Sequence, residues 1–119
     1  MINWYKKYSN RKIYRLSVDI IAYHGTSRIF DRFDYEYASH GVFWFTEDIG
    51  KIRCGESGAS SNKYICKVRL HVGNSAGWGE YERYGLGEIR EMGFDSILLD
   101  DDWVIYDSDD IEILEWIKS

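Results

Sequence analysis

Residues 20–27 read Ile20-Ile21-Ala22-Tyr23-His24-Gly25-Thr26-Ser27. The first four, rich in β-branched and aromatic side chains, read as a buried strand. The strand runs straight into a histidine, a glycine and two hydroxyl residues. A histidine at a strand end, followed by glycine, exposes an imidazole beside bare backbone. With no Cβ in the way, a planar ligand can approach the glycine N–H and C=O closely. The same residues also fit an ordinary strand-end turn that carries a surface histidine.

Phe30 and Phe33 follow at helix or turn spacing, and Gly41 to Thr46 form a second aromatic strand. Its rings, Phe43, Trp44 and Phe45, offer a flat platform for a base or pyridinium, or else core packing. Glu47-Asp48 resembles a helix start, with acids favourable in the first turn, and predicts a helix over 47–55. Residues 55–62 are Gly/Ser-rich and read as a loop. From Lys63 to Val72, Tyr64, Cys66, Val68 and Leu70 share one parity against Lys63, Lys67 and Arg69, the pattern of a half-buried strand. Residues 73–85 read as a long loop, of a kind that is often functional. Leu86 to Met92 reads as a short helix stopped by Gly93. Ser96 to Leu99 reads as a strand, Asp100 to Asp102 as a turn, and Trp103 to Tyr106 as a strand. Ile111 to Ile117 reads as a last strand or a short helix. Before the quoted stretch, Trp4, Tyr8, Ile13 and Leu16 suggest a helical stripe over 3–15. Together these segments predict one α+β domain over 1–119, with strands dominant.

The bulk composition agrees. The 119 residues have the length of one domain, and a chain that is 45% hydrophobic and 17% aromatic can bury a core. The net charge of −5 and the sequence pI of about 5.1 argue against nucleic acid as a partner, because backbone binding needs a basic field. Lys6, Lys7, Arg11, Lys12 and Arg15 make only a local basic patch or a solvated helix face. The two cysteines, Cys54 and Cys66, lie twelve apart with no CxxC and no histidine pair nearby, so no metal site is expected. No run approaches about eighteen apolar residues, and the N-terminus lacks an apolar signal region, so the expectation is a cytoplasmic protein with no membrane partner. Six of the eleven residues from Asp100 to Asp110 are Asp. They lack the spacing of a calcium loop. They fit a solvated turn or carboxylates that stabilise positive charge.

The order of these motifs resembles the ADP-ribosyltransferase superfamily, in the His–Tyr–Glu branch shared by diphtheria-type toxins and poly-ADP-ribose polymerases. Tyr23-His24-Gly25-Thr26 matches the family's aromatic-His-Gly-Ser/Thr strand end. Gly41 to Thr46 approximates its Gly-x-Tyr-Phe strand. Asp102-Trp103-Val104-Ile105-Tyr106-Asp107 matches its closing acid-Tyr-Ile-Val-Tyr-Asp strand. The likeness spans roughly residues 20–117 and is similar to the small bacterial and phage effectors of that superfamily. It implies two small, roughly perpendicular antiparallel sheets with a few short helices, and NAD⁺ in the cleft between them.

The resemblance also implies roles. His24 would hydrogen-bond a ribose hydroxyl of NAD⁺, and Gly25 would hold the nicotinamide carboxamide by its backbone. Thr26 or Ser27 would add a hydroxyl contact. Trp44 would pack near the nicotinamide, with Phe43 or Phe45 as a second ring. Asp102 would be the catalytic acid, with Asp101 as its competitor. The acceptor would be a macromolecule, in the effector setting a host protein met in the host cytoplasm, and residues 73–85 would help select it. Three positions depart from the pattern. Asp102 stands where the family has Glu, about 1.5 Å shorter in reach. Gly55 stands where a second stacking Tyr is expected, eleven residues after Trp44. Lys51 keeps a lysine found in the polymerases, but Ile52 replaces their small hydroxyl residue. Two other expectations therefore stand beside the transferase: a catalytically degenerate binding or inhibitor protein of the same fold, and an acidic decoy that mimics nucleic acid.

Overall fold

A computed structural model describes residues 17–35, 38, 41–55 and 61–118. The helix expected over 3–15 and the middle of the 55–62 loop lie outside the described residues. The elements run in the order β1 (Val18–Thr26), β2 (Phe43–Thr46), α1 (Ile49–Arg53), β3 (Tyr64–Val72), β4 (Ser75–Ala76), α2 (Trp78–Arg83), α3 (Leu86–Glu91), β5 (Ser96–Leu99), β6 (Asp102–Ile105) and β7 (Ile111–Lys118). The α+β class and the strand-dominant reading hold.

The seven strands hydrogen-bond as one sheet in the order β4-β5-β6-β2-β1-β3-β7. Two separate antiparallel sheets were expected. Instead the sheet is continuous, and it is mixed, because β4 pairs parallel with β5. The join between its halves is narrow. β1 pairs with β3 along its whole length, from Val18↔Val72 to Thr26↔Tyr64. It pairs with β2 only at Tyr23↔Thr46. The halves β4-β5-β6-β2 and β1-β3-β7 therefore meet at one residue pair and part beyond it.

Strand alternation gives the sheet two apolar faces. One face buries Ala22, Phe43, Phe45, Cys66, Val68, Leu70, Trp103 and Ile105 under Phe33. The other buries Val42, Ala76, Ile97, Leu99 and Val104 with Ile89 of α3. The irregular segment after β1 is tied down by its rings. Phe33 lies 5.2 Å from Phe45 and 5.6 Å from Phe43, and Phe30 lies 5.1 Å from Trp116. Further on, the Tyr35 hydroxyl accepts the Ser108 N–H at 3.0 Å.

The helices are short and fixed by side chains. Asp48 caps α1 by accepting the Gly50 N–H at 2.9 Å. Glu80 accepts the Gly77 N–H at 2.8 Å, and Glu88 accepts the Gly85 N–H at 2.9 Å. These two bonds organise residues 73–85, so the expected long loop contains β4 and α2. Gly93, at φ +99°, stops α3 where a side chain would be strained. Residues 111–117 form a strand, with a bulge where Val68↔Ile113 gives way to Lys67↔Glu115.

The cysteines report this burial chemically. Cys66 is fully buried in β3, and burial pushes its thiol up to about 12. Cys54 is exposed at the end of α1. Because the thiolate is the reactive form, native protein at pH 8 should titrate one fast thiol with a disulfide reagent and two after denaturation. Two fast thiols in the native state would contradict the packing of β3.

Candidate functional site

The parting of β1 from β2 decides what stands around His24. Beyond Tyr23↔Thr46 the ladder stops, so the Trp44 carbonyl has no β1 amide to accept from. The imidazole takes that place, with His24 Nδ1 2.8 Å from Trp44 O. A carbonyl oxygen only accepts, so Nδ1 carries the proton. The ring is packed by Phe33 at 5.2 Å, Phe45 at 5.5 Å and Phe30 at 6.5 Å. Burial lowers its pKa below 6.5, and the bond to the Trp44 carbonyl only partly opposes the shift. At neutral pH the ring is therefore uncharged, and Nε2 is an acceptor with no protein partner among the described residues.

Register assigns the other residues to faces. Tyr23, Thr46 and Asp102 form one row across β1, β2 and β6. Residues directly opposite one another point to the same side, so Tyr23, Thr46 and Asp102 share a face, and Trp44 and Val104 share it with them. Phe43, Phe45 and Trp103 point to the other side, towards the His24 ring. The three rings of β2 therefore do not form one platform. Phe43 and Phe45 are core residues, and Trp44 alone faces the Asp102 side, with Tyr81 of α2 at 6.3 Å.

His24 and Asp102 thus project to opposite faces of the sheet, and the His24–Trp44 bond adds a side-chain link between β1 and β2 next to the Tyr23↔Thr46 pair. Gly25 is buried at the parting. Thr26 is buried, its hydroxyl accepting the Arg28 N–H at 3.5 Å, while Ser27 is exposed. Lys51 of α1 reaches Asp102 at 3.5 Å and Asp101 at 3.9 Å. Partial desolvation pulls the lysine down, but Asp102, then Asp101 and Asp48, hold its pKa above 10.5. Asp102 is the better placed of the two acids, since Asp101 lies in the turn before β6 and is more exposed.

Sequence reasoning missed Glu47. Its carboxylate accepts the Trp103 indole N–H at 2.7 Å on the His24 side of the sheet. Period-two counting from Phe45 carries that signal. Of the Asp100–Asp110 cluster, Asp110 is buried, Asp107 accepts the Asp109 N–H at 2.9 Å, and Asp102 is paired with Lys51. Among the described residues, no helix is long and apolar enough to cross a membrane, and no cluster of histidine, cysteine or carboxylates is arranged to hold a metal. No protein-family model matches the chain, and no curated protein matches it.

The neutral His24 has a consequence for stability. Between pH 6.5 and its lower folded pKa, the unfolded chain binds a proton that the folded chain does not. The contribution of His24 is complete above about pH 6.5 and is lost as pH falls through the folded value. Urea midpoints between pH 8 and 5 should therefore fall further for wild type than for His24→Gln. Parallel declines would contradict a neutral, packed imidazole.

Proposed function

We propose that this chain is a small NAD⁺-dependent mono-ADP-ribosyltransferase that modifies a macromolecular acceptor. One observation carries the reading. At a strand end the sheet parts beside a neutral histidine, whose second nitrogen has no partner among the described residues, and a glycine backbone, while an aromatic ring and a carboxylate stand on the opposite face of β2 and β6. Each element suits one part of the chemistry. The nicotinamide is planar and carries a carboxamide, which Gly25 backbone and Trp44 can hold. A ribose hydroxyl can donate to His24 Nε2. Asp102 supplies the negative charge.

In this reaction the bond between the nicotinamide nitrogen and ribose C1′ breaks, and nicotinamide leaves with the electron pair. Oxocarbenium character develops on the ribose. A carboxylate bonded to its hydroxyls stabilises that charge where water is scarce. An acceptor nucleophile then bonds C1′ and gives up its proton. A charge-assisted hydrogen bond is worth roughly 1.5–3 kcal/mol, which is about one to two decades of rate.

Lys51 favours a second reading, a binding protein of the same fold without turnover. It occupies the carboxylate that the reaction needs, and Asp102 is already shorter than the family's Glu. In that case NAD⁺ would bind and stay intact.

The test is NAD⁺ labelled on its adenylate part, offered with and without cell lysate as the source of acceptor. Wild type should release nicotinamide and transfer label. Asp102→Asn should slow both by roughly 10- to 100-fold while still binding NAD⁺. His24→Ala should weaken binding. Binding without product selects the second reading, and failure of wild type to bind NAD⁺ removes both.

A further inference from the structure

The helix α2 has no buried residue. Trp78, its first residue, is 45% exposed and lies outside both apolar cores. Its ring meets Tyr81, one turn on, in an edge contact at 5.8 Å. Tyr81 in turn meets Trp44 at 6.3 Å, and both of these rings pack on the core that includes Ile89 of α3. The indole is therefore held by a ring that the fold anchors, yet it stays largely in water. Tyr84, at the C-terminal end of α2, is exposed as well. A lone exposed apolar side chain needs no explanation, but an anchored indole beside a second exposed ring has the composition of a contact surface.

The charges on these helices select the partner. Residues 77–92 hold Glu80, Glu82, Glu88 and Glu91 against Arg83 and Arg90. Arg90 is turned onto the Tyr106 ring, at 5.7 Å. Glu82 is exposed and stands four residues after Trp78, which makes the two neighbours on the helix surface. The whole chain has the same sign, at −5. Such a surface repels the phosphates of nucleic acid or of a lipid surface and attracts arginine and lysine. A guanidinium suits it best, because it stacks on an indole and pairs with a carboxylate. The ladder of rings ends at Trp44, whose carbonyl holds His24, so this surface adjoins the candidate site.

We infer that the Trp78 face of α2 is a docking surface for an arginine- or lysine-bearing segment of another protein. Trp78 is its anchor, and Glu82 is the charge beside the anchor that receives the cation. The inference does not need the NAD⁺ reading. In a transferase the docked protein is the acceptor, and in a binding protein it is the bound partner.

The experiment is a calorimetric titration of the whole chain, without NAD⁺, using a short synthetic peptide of arginine, leucine and glycine. Its twin carries glutamate in place of every arginine. Wild type should bind the arginine peptide and not the twin. Trp78→Ala should weaken that binding by roughly tenfold. It should leave the thermal midpoint within a few degrees, since the ring lies outside both cores. Trp78→Phe, which keeps a ring, should retain binding to within about threefold. Glu82→Lys should weaken it by about two- to fivefold with the indole in place. Arginine-peptide binding that survives Trp78→Ala, equal binding of the two peptides, or binding of neither would overturn the inference. A large fall in the midpoint of Trp78→Ala, with no effect of Glu82→Lys on binding, would assign the ring to the fold and overturn it too. No nucleotide is present, so each of these outcomes leaves the NAD⁺ reading standing.

Discussion

The hydrogen bond from His24 Nδ1 to the Trp44 carbonyl holds the two halves of the sheet where their backbones have parted. β1 and β2 share one paired position, and beyond it the part-buried Trp44 carbonyl would otherwise lack a donor from β1. A buried group of this kind left unpaired costs roughly 1–3 kcal/mol, and a part-buried one less. The imidazole meets that need with one nitrogen, and the other has no partner among the described residues. The bond also fixes the tautomer. A structural requirement and an acceptor nitrogen therefore sit in the same ring.

The rest of the molecule supports that arrangement from both sides. Phe33, Phe45 and Phe30 pack the imidazole and keep it uncharged. On the opposite face, Trp44 rests on α2 through Tyr81, and α1 delivers Lys51 to Asp102. Opening a gap between two strands exposes unpaired backbone, which a sheet ordinarily avoids. Here the cost is limited to a few residues, and the remaining length of β1 is fully paired with β3.

Much of the fold was legible where local pattern and tertiary packing agree. β3 alternates cleanly because both of its neighbours are long strands, and α3 ends at Gly93 because the chain needs a left-handed residue there. Residues 111–117 were ambiguous between strand and helix because the bulge at Leu114 shifts the parity of the apolar positions, from Ile111 and Ile113 to Trp116. Residues 73–85 looked structureless because Gly77 and Gly79 weaken the helical pattern. The reach of Glu80 back to the Gly77 amide, which rescues it, is a three-residue signal. The single sheet and its order were not legible at all, since pairing between distant strands leaves no trace in local periodicity. At the site, the motif residues were readable individually. The faces they occupy required the register, which separates Phe43 and Phe45 from Trp44 and puts Tyr23 on the same face as Trp44.

The central claim is that the parting between β1 and β2 is a binding site for NAD⁺. Backbone amide NMR of the whole chain during NAD⁺ titration tests it most directly. The account predicts shifts concentrated at Tyr23–Thr26, at Phe43–Thr46 and at Asp102, with the outer part of β7 and α3 unmoved. Shifts confined to other elements, or none at millimolar NAD⁺, would contradict it.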